Sequence, residues 1–263
     1  RIPELTAAAS IQVWWGNATC TASPSYVSDG SAWGPDHVGV WHMDGESGEV
    51  HDASPARNHG QAVDVQRGLP GVVGRSIGFS GEKGRVGLTS ILPIGGTANS
   101  LSLWAKVPKP GNGGLGATER VGIILGNFGD TPNSNWELHA TGEMRWYWNR
   151  GQPDCRGNRD LRDGEWHHLA WVRDSAADAL RVYVDGELGK EYAGAGADIA
   201  FTTKHAIGAD NRPQGTPRFH GSMDEMWLAR AARSTDWIRA CYENQSSPGT
   251  FWSYEPLPAP TRP

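Results

Sequence analysis

Leu101-Ser102-Leu103-Trp104-Ala105-Lys106-Val107 decides how the rest of the chain is read. Leu101, Leu103, Ala105 and Val107 fall on one face of an extended chain, and Ser102, Trp104 and Lys106 on the other, because successive side chains of a strand alternate. The alternation recurs downstream, where Val182 and Val184 oppose Arg181 and Tyr183. Asp185-Gly186 follows, a dipeptide suited to the left-handed backbone of a tight hairpin bend. Thr141-Gly142 marks a second bend, between residues 136–140 and 143–149. Working outward gives eleven short apolar runs, each bounded by Gly, Asp, Asn or Pro: residues 38–43, 76–80, 85–89, 101–107, 121–128, 136–140, 143–149, 166–173, 180–185, 205–208 and 221–229. No helical period lies between them, so the pattern predicts an antiparallel sandwich or barrel. One helix is expected, over residues 235–244: Ser234 caps it, Asp236 favours its dipole, and Trp237, Ile238, Cys241 and Tyr242 form an apolar face. Residues 11–15 read as a further strand and residues 24–37 as a loop.

Composition narrows the function. The 263 residues include 35 Gly, 17 Pro and 13 Trp, with 38% hydrophobic and 20% charged residues. No apolar stretch approaches the roughly 18–20 residues of a membrane span, so membrane insertion is not expected. A net charge of −5 without a basic stripe argues against nucleic acid as a partner. Cys20, Cys155 and Cys241 are too few for a disulfide scaffold; one pair plus a free thiol and three free thiols both fit. The chain opens Arg1-Ile2-Pro3-Glu4, without an initiator Met or a signal-peptide pattern. Residues 256–263 are Pro-rich and read as an extended linker.

An ordered set of segments carries a family resemblance. It runs through Val40-Trp41-His42-Met43-Asp44, Asp52-Ala53-Ser54-Pro55 with Asn58-His59-Gly60, and Gly71-Val72-Val73-Gly74-Arg75-Ser76-Ile77-Gly78-Phe79. It continues through the opening heptapeptide, Gly164-Glu165-Trp166-His167-His168-Leu169-Ala170, Val182-Tyr183-Val184-Asp185-Gly186, and Phe219-His220-Gly221-Ser222-Met223-Asp224-Glu225. In this order they resemble the laminin-G-like domains of the concanavalin A-like superfamily. The resemblance implies an all-β, two-sheet antiparallel jelly-roll sandwich over residues 38–245, one sheet convex and one concave, with one short C-terminal helix. The lead, with Ile11-Gln12-Val13-Trp14-Trp15-Gly16-Asn17, is similar to the end of a domain of unassigned function in bacterial envelope proteins. The segment from Trp237 to Gln245 resembles the close of the same proteins. Residues 1–37 are then the end of an upstream β domain or an N-terminal extension, and residues 246–263 a C-terminal extension. An extracellular, periplasmic or envelope location is expected.

Chemistry-bearing patterns are sparse. The Glu-x-Asp-x-(x)-Glu triplet of retaining laminarinase-type members, which sets carboxylates about 5 Å apart on one strand face, is absent. Asp224 and Glu225 are adjacent and should point to opposite faces of a strand. Glu137 and Glu143 lie apart, on either side of a turn. Gly78-Phe79-Ser80-Gly81 is not a nucleophile elbow, and His167-His168 cannot both ligate one metal from one strand face. Residues 111–116 are Gly-rich but lack the strand and helix that a phosphate loop requires. No catalytic residue is therefore predicted.

Two binding expectations remain. The resemblance implies a structural Ca²⁺ held by Asp44, with backbone carbonyls near residues 45–48, and by Asp224; Asp52 either contributes or braces its turn through Asn58. For a ligand, Met144, Trp146 and Trp148 suit the core, which leaves Arg145, Tyr147 and Asn149 facing a groove, with Trp136, His139 and Arg150 beside them. The leading expectation is a non-catalytic, lectin-like module that binds a glycan or an envelope protein. A spacer or protein-contact domain without a small ligand is the alternative, and a glycan-cleaving enzyme of the same fold is the third.

Overall fold

Alternation carries directly into the structure, a computed structural model that describes residues 25, 29–94, 98–111, 122–127, 134–148, 155–194, 201–212 and 218–251. In chain order the strands are β1 (His37–Trp41), β2 (Gly60–Val63), β3 (Val65–Pro70), β4 (Arg75–Ser80), β5 (Arg85–Leu88), β6 (Ala98–Lys106), β7 (Gly122–Gly126) and β8 (Ser134–Leu138). They continue with β9 (Met144–Trp148), β10 (Cys155–Arg156), β11 (Trp166–Asp174), β12 (Ala179–Val184), β13 (Glu187–Ala193), β14 (Ala206–Ile207) and β15 (His220–Ala229). Two helices close the described chain, α1 (Thr235–Ser246) and α2 (Pro248–Phe251).

The strands form two antiparallel sheets, as expected for a sandwich. One has eight strands, ordered β13-β12-β11-β6-β15-β4-β3 with β1 added against β15; the other has seven, ordered β10-β9-β8-β7-β14-β5-β2. Between them lies the main core. Leu101, Leu103, Ala105 and Val107 point into it, with Trp41, Trp136, Trp146 and Trp171 among its largest members.

The opposite face of the eight-stranded sheet carries a second apolar layer. Val40, Ala170, Val172, Tyr183 and Trp227 pack beneath Ile238 of α1. Trp104, on the outward face of β6, donates its indole N–H to Gln245 Oε1 at 2.6 Å. Ser234 caps α1 by accepting a hydrogen bond from the Trp237 amide at 3.2 Å. The helix is thus fixed both by its cap and by its apolar face.

β15 changes partners halfway along one edge. Residues 220–223 pair with β4, while residues 226–229 pair with β1. The change falls on a bulge at Asp224 and Glu225, where Glu225 has φ 48°. This corrects the simple alternation expected for that pair of carboxylates: an extra residue re-aims the side chains. The Asp185-Gly186 bend behaves as read, with both residues at positive φ (52° and 80°) as a type I′ hairpin requires.

Candidate functional site

The predicted groove residues fall on the β8–β9 hairpin, and its register sorts them. Trp136 pairs with Trp146, Glu137 with Arg145, and Asn135 with Tyr147. Side chains paired across an antiparallel ladder share a face. Trp136 therefore faces inward with Trp146, fully buried, the two rings stacked at 5.4 Å. Its placement at the groove is corrected on this point. Asn149 and Arg150 lie outside the described residues.

On the outward face, Glu137 sits behind Arg145. Glu137 is fully buried, and its Oε1 accepts a hydrogen bond from Arg145 Nη1 at 2.9 Å. The Arg145 guanidinium lies 4.9 Å from the centre of the Tyr147 ring. A buried carboxylate thus fixes a planar set of donors against an aromatic face, so less side-chain freedom remains to be lost on binding. Arg156 of β10 pairs in register with Arg145 and extends the row. At the hairpin tip, His139 Nδ1 is 2.7 Å from Thr141 Oγ1, whose hydroxyl also bonds Glu143. The structure therefore joins Arg145, Tyr147 and His139 on one side of the hairpin and adds Glu137, which the sequence reading left out. Its signal was the i, j pairing across the Thr141-Gly142 bend, which aligns Glu137 with Arg145.

That register also revises the separation of Glu137 and Glu143. Glu143 pairs with His139 through the backbone, so it is the diagonal neighbour of Glu137 on one face. Diagonal neighbours are about 7–8 Å apart along the backbone, so the two carboxylates share one face. Burial decides what the pair can do. The Glu137 side chain is 0% exposed and tied to Arg145, whereas Glu143 is 28% exposed. Glu137 is thus closed off behind the Arg145 guanidinium, while Glu143 stays partly open.

The three aspartates expected at a metal have different surroundings. Asp52 is fully buried and meets four donors: its Oδ1 accepts from the amides of Val40 and Ser54, its Oδ2 from the Ser54 hydroxyl and the Asn58 amide. This is the turn-bracing role, and it does not fit a metal ligand. The carbonyls of Gly45 and Gly48 already accept from the Arg67 guanidinium at 3.0 and 3.1 Å. Asp44 is exposed. Asp224 is buried; its Oδ2 accepts from the amides of Val72 and Val73 at 2.7 and 2.9 Å, while its Oδ1 meets no donor. Burial pushes its carboxyl up to about 7. Beside it, His42 Nδ1 lies 3.0 Å from Glu225, and that hydrogen bond raises the imidazole pKa. Of the three aspartates, Asp52 has its oxygens filled by donors, whereas the exposed Asp44 and Oδ1 of Asp224 meet no donor among the described residues.

Residues 80–239, more than half of the chain, match the family model for the concanavalin A-like lectin/glucanases superfamily. The chain belongs to this superfamily. Solved structures with the same fold include domain 4 of AbnA, a GH43 extracellular arabinanase from Geobacillus stearothermophilus, in complex with arabinotriose. It is 18% identical, with a TM-score of 0.60, over 78% of this chain and 97% of that one. The binding domain of botulinum neurotoxin serotype D is 14% identical, with a TM-score of 0.63, over 83% of this chain and 53% of that one. A Trypanosoma rangeli sialidase in complex with 2,3-difluorosialic acid is 14% identical, with a TM-score of 0.56, over 81% of this chain and 33% of that one. At these identities the likeness is one of fold. The chain spans about half the length of the toxin domain and a third of the sialidase. No curated protein matches the sequence. Solved structures of similar fold thus include binding domains as well as a sialidase.

Proposed function

We propose that the chain is a non-catalytic module that binds a glycan at a bacterial envelope or outside the cell, through the outward face of β8 and β9. One observation carries this reading. The two carboxylates of that face are divided by burial, and the inner one, Glu137, holds Arg145 against Tyr147. A planar donor group beside an aromatic ring suits sugar hydroxyls and the apolar side of a sugar ring. The arabinotriose complex of the GH43 domain supports the ligand class. A structural Ca²⁺ belongs to the same proposal, held by Asp224 with Asp44 away from this face.

The test is a thermal-shift and calorimetric series with neutral and acidic oligosaccharides. Binding by the native chain should fall at least tenfold in Tyr147→Ala and in Arg145→Lys, which keeps the charge but loses the planar fork. Release of reducing sugar by the native chain, abolished by Glu143→Gln, would replace the reading with hydrolysis. Absence of binding to every glycan would leave a spacer or protein-contact domain.

A further inference from the structure

A separate cavity of about 390 Å³ opens on the outward face of the eight-stranded sheet, across the sandwich from Arg145 and Tyr147. Register defines its floor. Gln66 of β3 pairs with Gly78 of β4, Gly78 with Ser222 of β15, and Ser222 with Lys106 of β6. These four residues form one row on the face opposite the core residues Ile77, Ala105 and Met223. With adjacent strands about 4.8 Å apart, the row runs about 14 Å from Gln66 to Lys106.

One aliphatic side chain crosses a row that is otherwise lined by polar groups. β3 is bulged between Gln66 and Leu69, with Gly68 at φ 72°. The bulge turns Leu69 over Gly78, so its Cδ1 lies 2.6 Å from where a Cβ on Gly78 would stand. An aliphatic surface therefore lies in the middle of the floor. Around it, the side chains of Gln66, Lys106, His220 and Ser222 make no hydrogen bond or ion pair with another described residue. Polar groups nearby are engaged: Arg75 pairs with Glu46 at 2.7 Å, and Arg67 donates to two backbone carbonyls. Amide, hydroxyl, imidazole and ammonium groups that converge on one concavity, with their hydrogen-bonding capacity unused inside the protein, mark a ligand site.

We propose that this cavity is a second binding site, independent of the β8–β9 face, and that it takes a neutral oligosaccharide lying across the strands. Sugar hydroxyls exchange hydrogen bonds with Gln66 and Ser222, and a C–H face rests on Leu69. Lys106 donates from β6 and His220 from the neighbouring β15, and Asp64, just before β3, accepts on the other side. Lys106 and Asp64 carry opposite charges at the two outer strands of the row and form no ion pair with each other. They serve a ligand rich in both donors and acceptors. A polyanionic chain would meet the Asp64 carboxylate.

The experiment uses the full chain carrying Tyr147→Ala, so that the hairpin face is disabled. Arabinotriose, cellotriose and trigalacturonate are titrated in turn by calorimetry and by amide NMR shifts. A neutral trisaccharide should bind, move the amides of residues 66, 78, 106 and 222, and weaken at least tenfold when Gln66→Ala is added. Ser222→Trp, which fills the cavity, should abolish it; if that variant misfolds, Gln66→Ala and Lys106→Gln still decide the matter. Loss of all trisaccharide binding in Tyr147→Ala overturns the second site while sustaining the first. Tenfold tighter binding of trigalacturonate overturns the neutral ligand class. Neutral binding that survives Gln66→Ala and Lys106→Gln unchanged also overturns the proposal.

Discussion

Asp52 and Asp224 are both fully buried carboxylates, and their neighbours give them opposite chemistry. Four donors surround Asp52 and fix the turn it braces. Asp224 has two amides on one oxygen and nothing on the other, an arrangement that suits a bound proton or a cation. Asp224→Asn keeps an oxygen for the Val72 and Val73 amides and places an NH₂ where Oδ1 stands. In chemical denaturation at pH 7 this variant should stay within about 1 kcal/mol of the native chain, whereas Asp224→Ala should lose about 1–3 kcal/mol by leaving buried donors unpaired. An ion at this position would announce itself differently: chelation would lower the melting temperature of the native chain and leave Asp224→Asn unaffected. At this scale the sequence was legible in part. The alternation of residues 144–147 separates Met144 and Trp146 from Arg145 and Tyr147 as the structure does. Trp136 was misplaced because the face of one strand follows from its register with the next, and register depends on where the turn closes. The amides that hold Asp224 come from a turn about 150 positions away, and no local pattern signals them.

Elements were read more securely than single residues. Each of the eleven apolar runs contains or overlaps a strand, and the Ser234 cap lies where the sequence put it. Replacing Ser234 with Ala should cost about 1 kcal/mol, seen as a lower urea midpoint at an unchanged slope. An unaltered midpoint would mean that packing of Trp237 and Ile238 alone holds α1. The strands that sequence reading passed over share a cause. β13 shows exposed residues along almost its whole length, as an edge strand does, and β3 is bulged and only partly buried. β10 has two residues, too few to show a period. β2 keeps a single buried position, Gly60, with no apolar side chain to mark it.

Across the whole molecule, two adjacent histidines couple stability to pH in opposite directions. His167 lies between carboxylates, with Nδ1 2.8 Å from Asp185 and Nε2 3.0 Å from Asp163, while Arg159 also bonds Asp185. The Asp185 hydrogen bond raises the His167 pKa above its ordinary 6.5. Its stabilisation is full below about 6.5 and is lost as pH rises through the raised value. His168, on the other face, bonds Ser102 at 2.8 Å, and burial pushes its imidazole down to about 4. It stabilises above about 6.5, and that contribution is lost as pH falls toward 4. The melting temperature should therefore peak near neutrality or just below it. The alkaline decline should flatten in His167→Gln, and a decline that persists unchanged in this variant would remove His167 as its source. The change of partners along β15 has a consequence for how the chain is made. β15 is flanked on one side by β6 and on the other by β4 and then β1, so three earlier strands wait for a segment that begins at His220. A nascent chain emerging from the ribosome presents those edges unsealed until His220–Ala229 has followed them out, and any chain stopped before His220 is left with an open seam at which another copy can pair.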